Sequence, residues 1–162
     1  MALLQSPWAT NQRSTPTGGC NGGEVVQLFE YTLPSGVTPA IGDIIEIGVL
    51  PANNQMCDAW LIPDDWDTNG TPTMAVDVGV MSGTVGALLN DDGSARTCGN
   101  EYFAASNAAQ SGTPAQMTAK TGFLVAPSDR DRSIGVKFTA AAATLAAAGV
   151  KMRLQAHYRA VS

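Results

Sequence analysis

One stretch near the end of the chain constrains the fold more than any other. Residues 150–159 alternate without a break: Val150, Met152, Leu154, Ala156 and Tyr158 fall on one side, and Lys151, Arg153, Gln155, His157 and Arg159 on the other. Period two is the signature of a strand with one face in the core and one in water. The preceding apolar stretch repeats it, with Ile134, Val136 and Phe138 separated by Gly135 and Lys137. The two stretches are therefore expected to pair as a hairpin across the alanine-rich connection at 140–148. The cations of the last stretch then share one sheet face, which is either simply solvated or a docking surface for an acidic partner.

A chain of 162 residues that is 44% hydrophobic suits one domain with a substantial core. Its charged fraction is only 14%, and 17 glycines and 9 prolines imply many turns, which favours an all-β domain over a helical one. A net charge of -5 argues against sequence-independent nucleic-acid binding, which needs a basic surface to displace counterions. The opening MALLQSPWATNQ lacks a basic n-region and a long apolar core, and no later run approaches a membrane span. A protein made in a cytoplasm, with neither membrane nor nucleic acid as partner, is the expectation. Cys20, Cys57 and Cys98 cannot all pair within one chain and none sits in a CxxC, so reduced thiols are expected.

Residues 1–23 carry Pro7, Pro16 and several glycines among small polar residues, with Leu3, Leu4 and Trp8 as anchors. Such a segment cannot offset its ordering entropy alone, and it reads either as a loose terminus or as an extended arm lying on something else. Residues 24–162 read as the folded domain. Strands are expected over 24–33, 41–50, 56–62, 73–81 and 122–126, each bounded by proline, glycine or asparagine turns. Between them, Asn100 as N-cap and the alanines of 101–110 predict a short helix. With the last two strands, this is an all-β, two-sheet antiparallel sandwich, and a jelly roll is one topology that fits.

Candidates for chemistry are few. His157 is the single histidine, on the polar face of a strand with no nucleophile turn nearby, and it reads as a solvated residue. Cys57 and Cys98 lack the paired ligands of a zinc site. Gly18, Gly19, Gly22 and Gly23 surround Cys20 without the strand and helix of a phosphate loop. Asp65, Asp67 and Asn69, followed by Gly70, match the opening of a calcium loop, but the position of its closing glutamate is Val76. An acidic turn without metal is the stronger reading, and neither a cofactor nor catalytic residues are expected.

The runs DVGVMSG at 77–83, RTCGNEYF at 96–103 and APSDRDRSIGVK at 126–137 resemble a group of small structural proteins of tailed bacteriophages, the capsid decoration or cement proteins. The likeness spans about residues 24–159, and RTCG and DRSIGVK are its most specific parts. It implies a non-enzymatic virion protein of the capsid exterior, a β-sandwich that self-associates as dimers or trimers and contacts the phage major capsid protein through loops and termini. On that basis Leu3, Leu4, Pro7 and Trp8 are the expected capsid-binding arm, with Trp8 ordering on docking. Asp129, Arg130, Asp131 and Arg132 are a second expected contact, between subunits, against the alternative of a solvated turn. The competing function is a head-fibre or tail-associated module binding a host glycan or protein, for which Trp60 and Trp66 would form the platform, although Trp60 reads as core. A small hydrolase built on the acidic turns is the third.

Overall fold

The computed structural model describes residues 1–16 and 23–161. Cys20, Gly18, Gly19 and Gly22 therefore lie outside the described residues. Among the described residues nine strands form two sheets: β1 (Leu3–Gln5), β2 (Glu24–Thr32), β3 (Ile44–Leu50), β4 (Asn54–Leu61), β5 (Ala75–Val80), β6 (Phe103–Ser106), β7 (Ala115–Gln116), β8 (Arg132–Ala140) and β9 (Lys151–Ala160). One sheet runs β1-β3-β8-β5-β6 and the other β2-β9-β4-β7. β1 pairs in parallel with β3, and the other pairings among these strands are antiparallel. The protein is an all-β sandwich.

The order has a simple logic. β2 pairs with β9, β3 with β8, β4 with β7 and β5 with β6. The chain thus behaves as one long hairpin, its open end at β2 and β9 and its tip between β5 and β6, rolled so that successive pairs fall in alternate sheets. Each sheet buries its inner face on the other. In β9, Met152, Leu154, Ala156 and Tyr158 are all fully buried, as their alternation requires. β3 differs, because all seven of its residues are buried. Its inner face meets the opposite sheet, and Gly48 is the position where the Phe29 ring approaches; a Cβ there would lie 2.6 Å from that ring. Its free edge is covered by β1, and the loop at 82–97 reaches its outer face through Arg96 and Gly86 on Glu46.

Three expectations change. Residues 132–140 and 150–159 do not form a hairpin: β8 lies between β3 and β5 in one sheet, while β9 lies between β2 and β4 in the other. Their connection crosses from sheet to sheet and is pinned midway, where Leu145 bridges Asp67. The stretch 101–110, expected as a short helix, gives four residues to the strand Phe103–Ser106. Asp77 accepts the backbone N–H of Ala105 at 2.8 Å, and Ala105 takes a positive φ of 46°, which no helix tolerates. Only Ala108–Gln110 forms a 3-10 turn. The strand expected at 122–126 is replaced by the helical turn α1 (Lys120–Phe123), which seats Gly122 against Met117 and the Glu101 carbonyl.

The N-terminal segment lies on its own sandwich. Ala2 donates its N–H to Asp43, and β1 runs in register from Leu3 opposite Ile44 to Gln5 opposite Glu46. A turn then delivers Trp8 into the main core at 6% exposure, edge-on to Phe29 at 5.5 Å, with the Arg13 guanidinium 5.0 Å above its ring. The Tyr158 hydroxyl donates to the Pro16 carbonyl. Trp8 thus holds the arm from within, packed against Phe29 of its own sandwich. Trp8→Ala should lower the unfolding free energy by about 3–5 kcal/mol, the usual cost of truncating a buried aromatic, read from urea denaturation. A loss below about 1 kcal/mol would show that the arm packs only loosely.

Candidate functional site

At the end of the sandwich where β3 and β8 meet the loop at 82–97, an ion pair is sealed from water. Arg96 Nη1 donates to Glu46 Oε1 at 2.8 Å, and neither side chain is more than 1% exposed. Glu46 also accepts from the Ser133 hydroxyl, from Gln5 Nε2 at 2.7 Å and from the Gly86 backbone N–H at 3.1 Å. Arg96 donates further to Ser133 Oγ at 2.7 Å and to the carbonyls of Ser82 at 2.6 Å and Ala87 at 2.8 Å. One network therefore joins the arm, β3, β8 and both ends of the loop. Burying two charges is costly unless the remaining donors and acceptors are met, and here they are met by backbone and neutral side chains.

The loop closes tightly around this pair. Gly83 and Gly86 both take positive φ, and a Cβ on Gly86 would sit 2.8 Å from the Ala9 carbonyl oxygen of the arm. Gln5 Nε2 also donates to the Gly86 carbonyl at 3.0 Å. Arm and loop are thus one packed unit. Beneath them a small second core of Ile44, Met81 and Cys98 covers the outer face of the sheet, with Leu3 packed against it. Gly135 of β8 makes room, since a Cβ there would meet Met81 and Cys98 within 3 Å. Burial pushes the Cys98 thiol up to about 12, so it is a packing residue and not a nucleophile. The RTCG and DRSIGVK runs contribute Arg96, Cys98, Ser133 and Gly135 to this end of the molecule.

Beside the loop runs an open groove lined by Gly83, Thr84, Val85 and Asp91 on one side and by 128–132 on the other. Among the residues expected there as an inter-subunit contact, Asp129 and Arg130 are exposed. Asp131 accepts the Ala52 N–H at 2.8 Å, and Arg132 donates to the Ala126 carbonyl at 2.8 Å, so these two brace their own chain. Of the arm residues, Leu3, Leu4 and Pro7 are half-buried and border the same end.

The other candidates have structural roles of their own. Asp67 is buried and accepts four backbone N–H groups, from Thr73, Met74, Ala143 and Thr144, at 2.7 to 3.1 Å. Burial opposes its charge, but these donors overcome it and hold the carboxyl well below the usual carboxylate range. Asp65 accepts the Asp67 N–H at 3.1 Å, and Asn69 accepts the Thr71 N–H at 2.9 Å. The oxygens of the calcium-like stretch are thus turned onto backbone, and among the described residues no three acidic, histidine or cysteine side chains converge as a metal site.

The face of β9 is not basic in effect. Lys151 and Arg153 each reach Glu30 at 2.9 Å, Arg153 also reaches Asp64 at 2.9 Å, and His157 meets Glu24 at 2.8 Å. The Lys151 ammonium foremost, with Arg153 behind it, holds the Glu30 carboxyl below its ordinary value. Arg159 has no ion pair among the described residues, but with Lys151, Arg153 and His157 so paired the face does not single out an acidic partner. Trp66 is fully buried, stacked obliquely on Phe138 at 6.0 Å, so it presents no platform. Trp60, expected in the core, is half-buried opposite Gln155 and Gln116.

Neither Glu46 nor Arg96 stood out as a site residue, although a lone acid in the strand Ile44–Leu50 is a signal that a cation must reach it. Arg96→Met should cost about 3–5 kcal/mol by leaving Glu46 buried without its partner, and Arg96→Met with Glu46→Leu should recover part of that. Urea unfolding of the three proteins measures both effects. A single variant within about 1 kcal/mol of wild type would remove the ion pair from its central place.

Two solved structures match the chain along most of its length. A protein in the capsid of Ralstonia phage GP4 is 45% identical, over 99% of this chain and 99% of that one, with a TM-score of 0.90. A protein of the cyanophage Pam1 capsid asymmetric unit is 28% identical, over 91% and 92%, with a TM-score of 0.63. No protein-family model matches, and no curated protein matches significantly.

Proposed function

Because the chain belongs to a family of phage capsid proteins, we propose that it binds the outer surface of a phage head and stabilises contacts between major capsid subunits. The full-length likeness to a chain of the Ralstonia phage GP4 capsid carries this reading. Physical features support it. The rolled long hairpin fits the proposed jelly roll, a compact unit whose connections gather at its two ends and leave loops free for contacts. Arg96, Glu46, Asp67 and Ser133 are engaged in holding the chain's own loops and turns, and Cys98 is packed in its core. A lattice presents many equivalent sites, so each contact can be modest and the particle still gain resistance.

Self-association as a dimer or trimer belongs to the same proposal. Among the described residues β2 is an edge strand of nine residues paired with β9 alone, and its Val26 and Leu28 are exposed at 54% and 44%. Unshielded apolar edges of this kind favour contact with another chain.

Co-sedimentation of the purified protein with undecorated heads, expanded and unexpanded, tests the function. Saturable binding to expanded heads, with improved heat resistance of the decorated particles, is expected. Absence of binding to both forms would contradict it.

A further inference from the structure

The outer apolar cluster does not end at Leu3. Met1 and Leu88 are each 67% exposed and Leu89 is 52% exposed. Together with Leu3, Ala95 and Arg96 they border a recess of about 170 Å3, room for one side chain. Contiguous apolar surface on a soluble protein marks a contact, whereas single exposed leucines do not.

What distinguishes this patch is its support. Leu88 and Leu89 follow Ala87, whose carbonyl is held by Arg96, and Gly86, whose N–H is held by Glu46. Leu89 bridges Ala95, and the turn between them is closed by Asn90 N–H to the Ser94 carbonyl at 2.9 Å. Met1 is fixed from the other side by Ala2 on Asp43. A buried ion pair is a costly way to stabilise a fold, since a packed apolar pair of similar volume commonly does as well. It is an effective way to hold a loop in one conformation, and a preformed contact loses less freedom on binding.

We propose that the Met1, Leu88 and Leu89 knob is the part of this protein that seats in the major capsid subunit, in an apolar recess flanked by lysine or arginine. This rests on the capsid-binding reading above. The chemistry of the flank comes from charge. Asp91 and Asp92 form the tip of the turn beside the leucines, and Asp91 shares the neighbouring groove with Asp129 and Asp131 against Arg130 and Arg132. With the Met1 ammonium counted beside Arg130 and Arg132, the four aspartates still leave the ionised groups around the knob in acidic excess, as is the whole chain at -5. A second copy of this chain docked two-fold on the knob would bring the acidic tips together, so the charge selects a basic partner over self.

The test is the double variant Leu88→Ser, Leu89→Ser, with Leu88→Ala as a milder one, assayed for binding to expanded undecorated heads, for mass by sedimentation velocity and for Tm. Both side chains already face water, so mass and Tm should stay at wild-type values while head affinity falls at least tenfold. Asp91→Lys should weaken binding several-fold at low salt, with the difference fading at high salt. Unchanged head affinity in the double variant would overturn the knob while leaving the capsid role standing. Loss of self-association with normal head binding per chain would reassign the knob to contacts between copies, and tighter binding by Asp91→Lys would overturn the basic flank. If the wild-type protein bound no heads, the capsid reading would fall and the knob with it.

Discussion

The contact between Arg96 and Glu46 sets much of what surrounds it. Glu46 sits in a strand with both faces covered, so its charge must be met from within, and the groups that meet it come from four places in the chain. Gln5 fixes the register of the arm, Gly86 and Arg96 fix the loop, and Ser133 ties both to β8. An apolar pair could bury the same volume. It could not specify the path of the loop carbonyls at 82 and 87, which Arg96 takes up directly. The charge pair trades desolvation for a single loop geometry.

The same device recurs elsewhere with single carboxylates. Asp67 gathers four N–H groups from two segments distant in sequence and so anchors the crossing between β8 and β9. Asp43 takes the N–H groups of Ala2 and Ala40, and Asp64 takes that of Lys151. Side chains that looked like candidate ligands or surface charge act as caps for backbone in turns. A sandwich with long connections needs such caps, because buried N–H groups outside the ladders must still be paired. The surface left for partners consists of loop ends, sheet edges and apolar knobs.

Much of the fold was legible in the sequence because strand periodicity reports burial directly. β9 carried its inner face in Met152, Leu154, Ala156 and Tyr158, and β2, β3, β4 and β5 fell within a few residues of their expected places. Pairing was less legible: two alternating stretches next to each other suggest a hairpin, but period two does not say which sheet each joins. Local propensity misled at 101–110, where alanines favour helix and Asp77 draws Ala105 into β6 instead. The site was harder still. Glu46 and Arg96 lie fifty positions apart in sequence, and nothing local to either announces the other. Trp8 was visible as a residue that must leave water, but what it leaves water for is a matter of tertiary structure.

A cryo-EM reconstruction of the intact virion tests the central claim most directly. The expected result is density for this sandwich on the outside of the head, repeated over the lattice, with the turn bearing Leu88 and Leu89 directed into the shell. Density for the chain inside the shell, or confined to the tail, would contradict it.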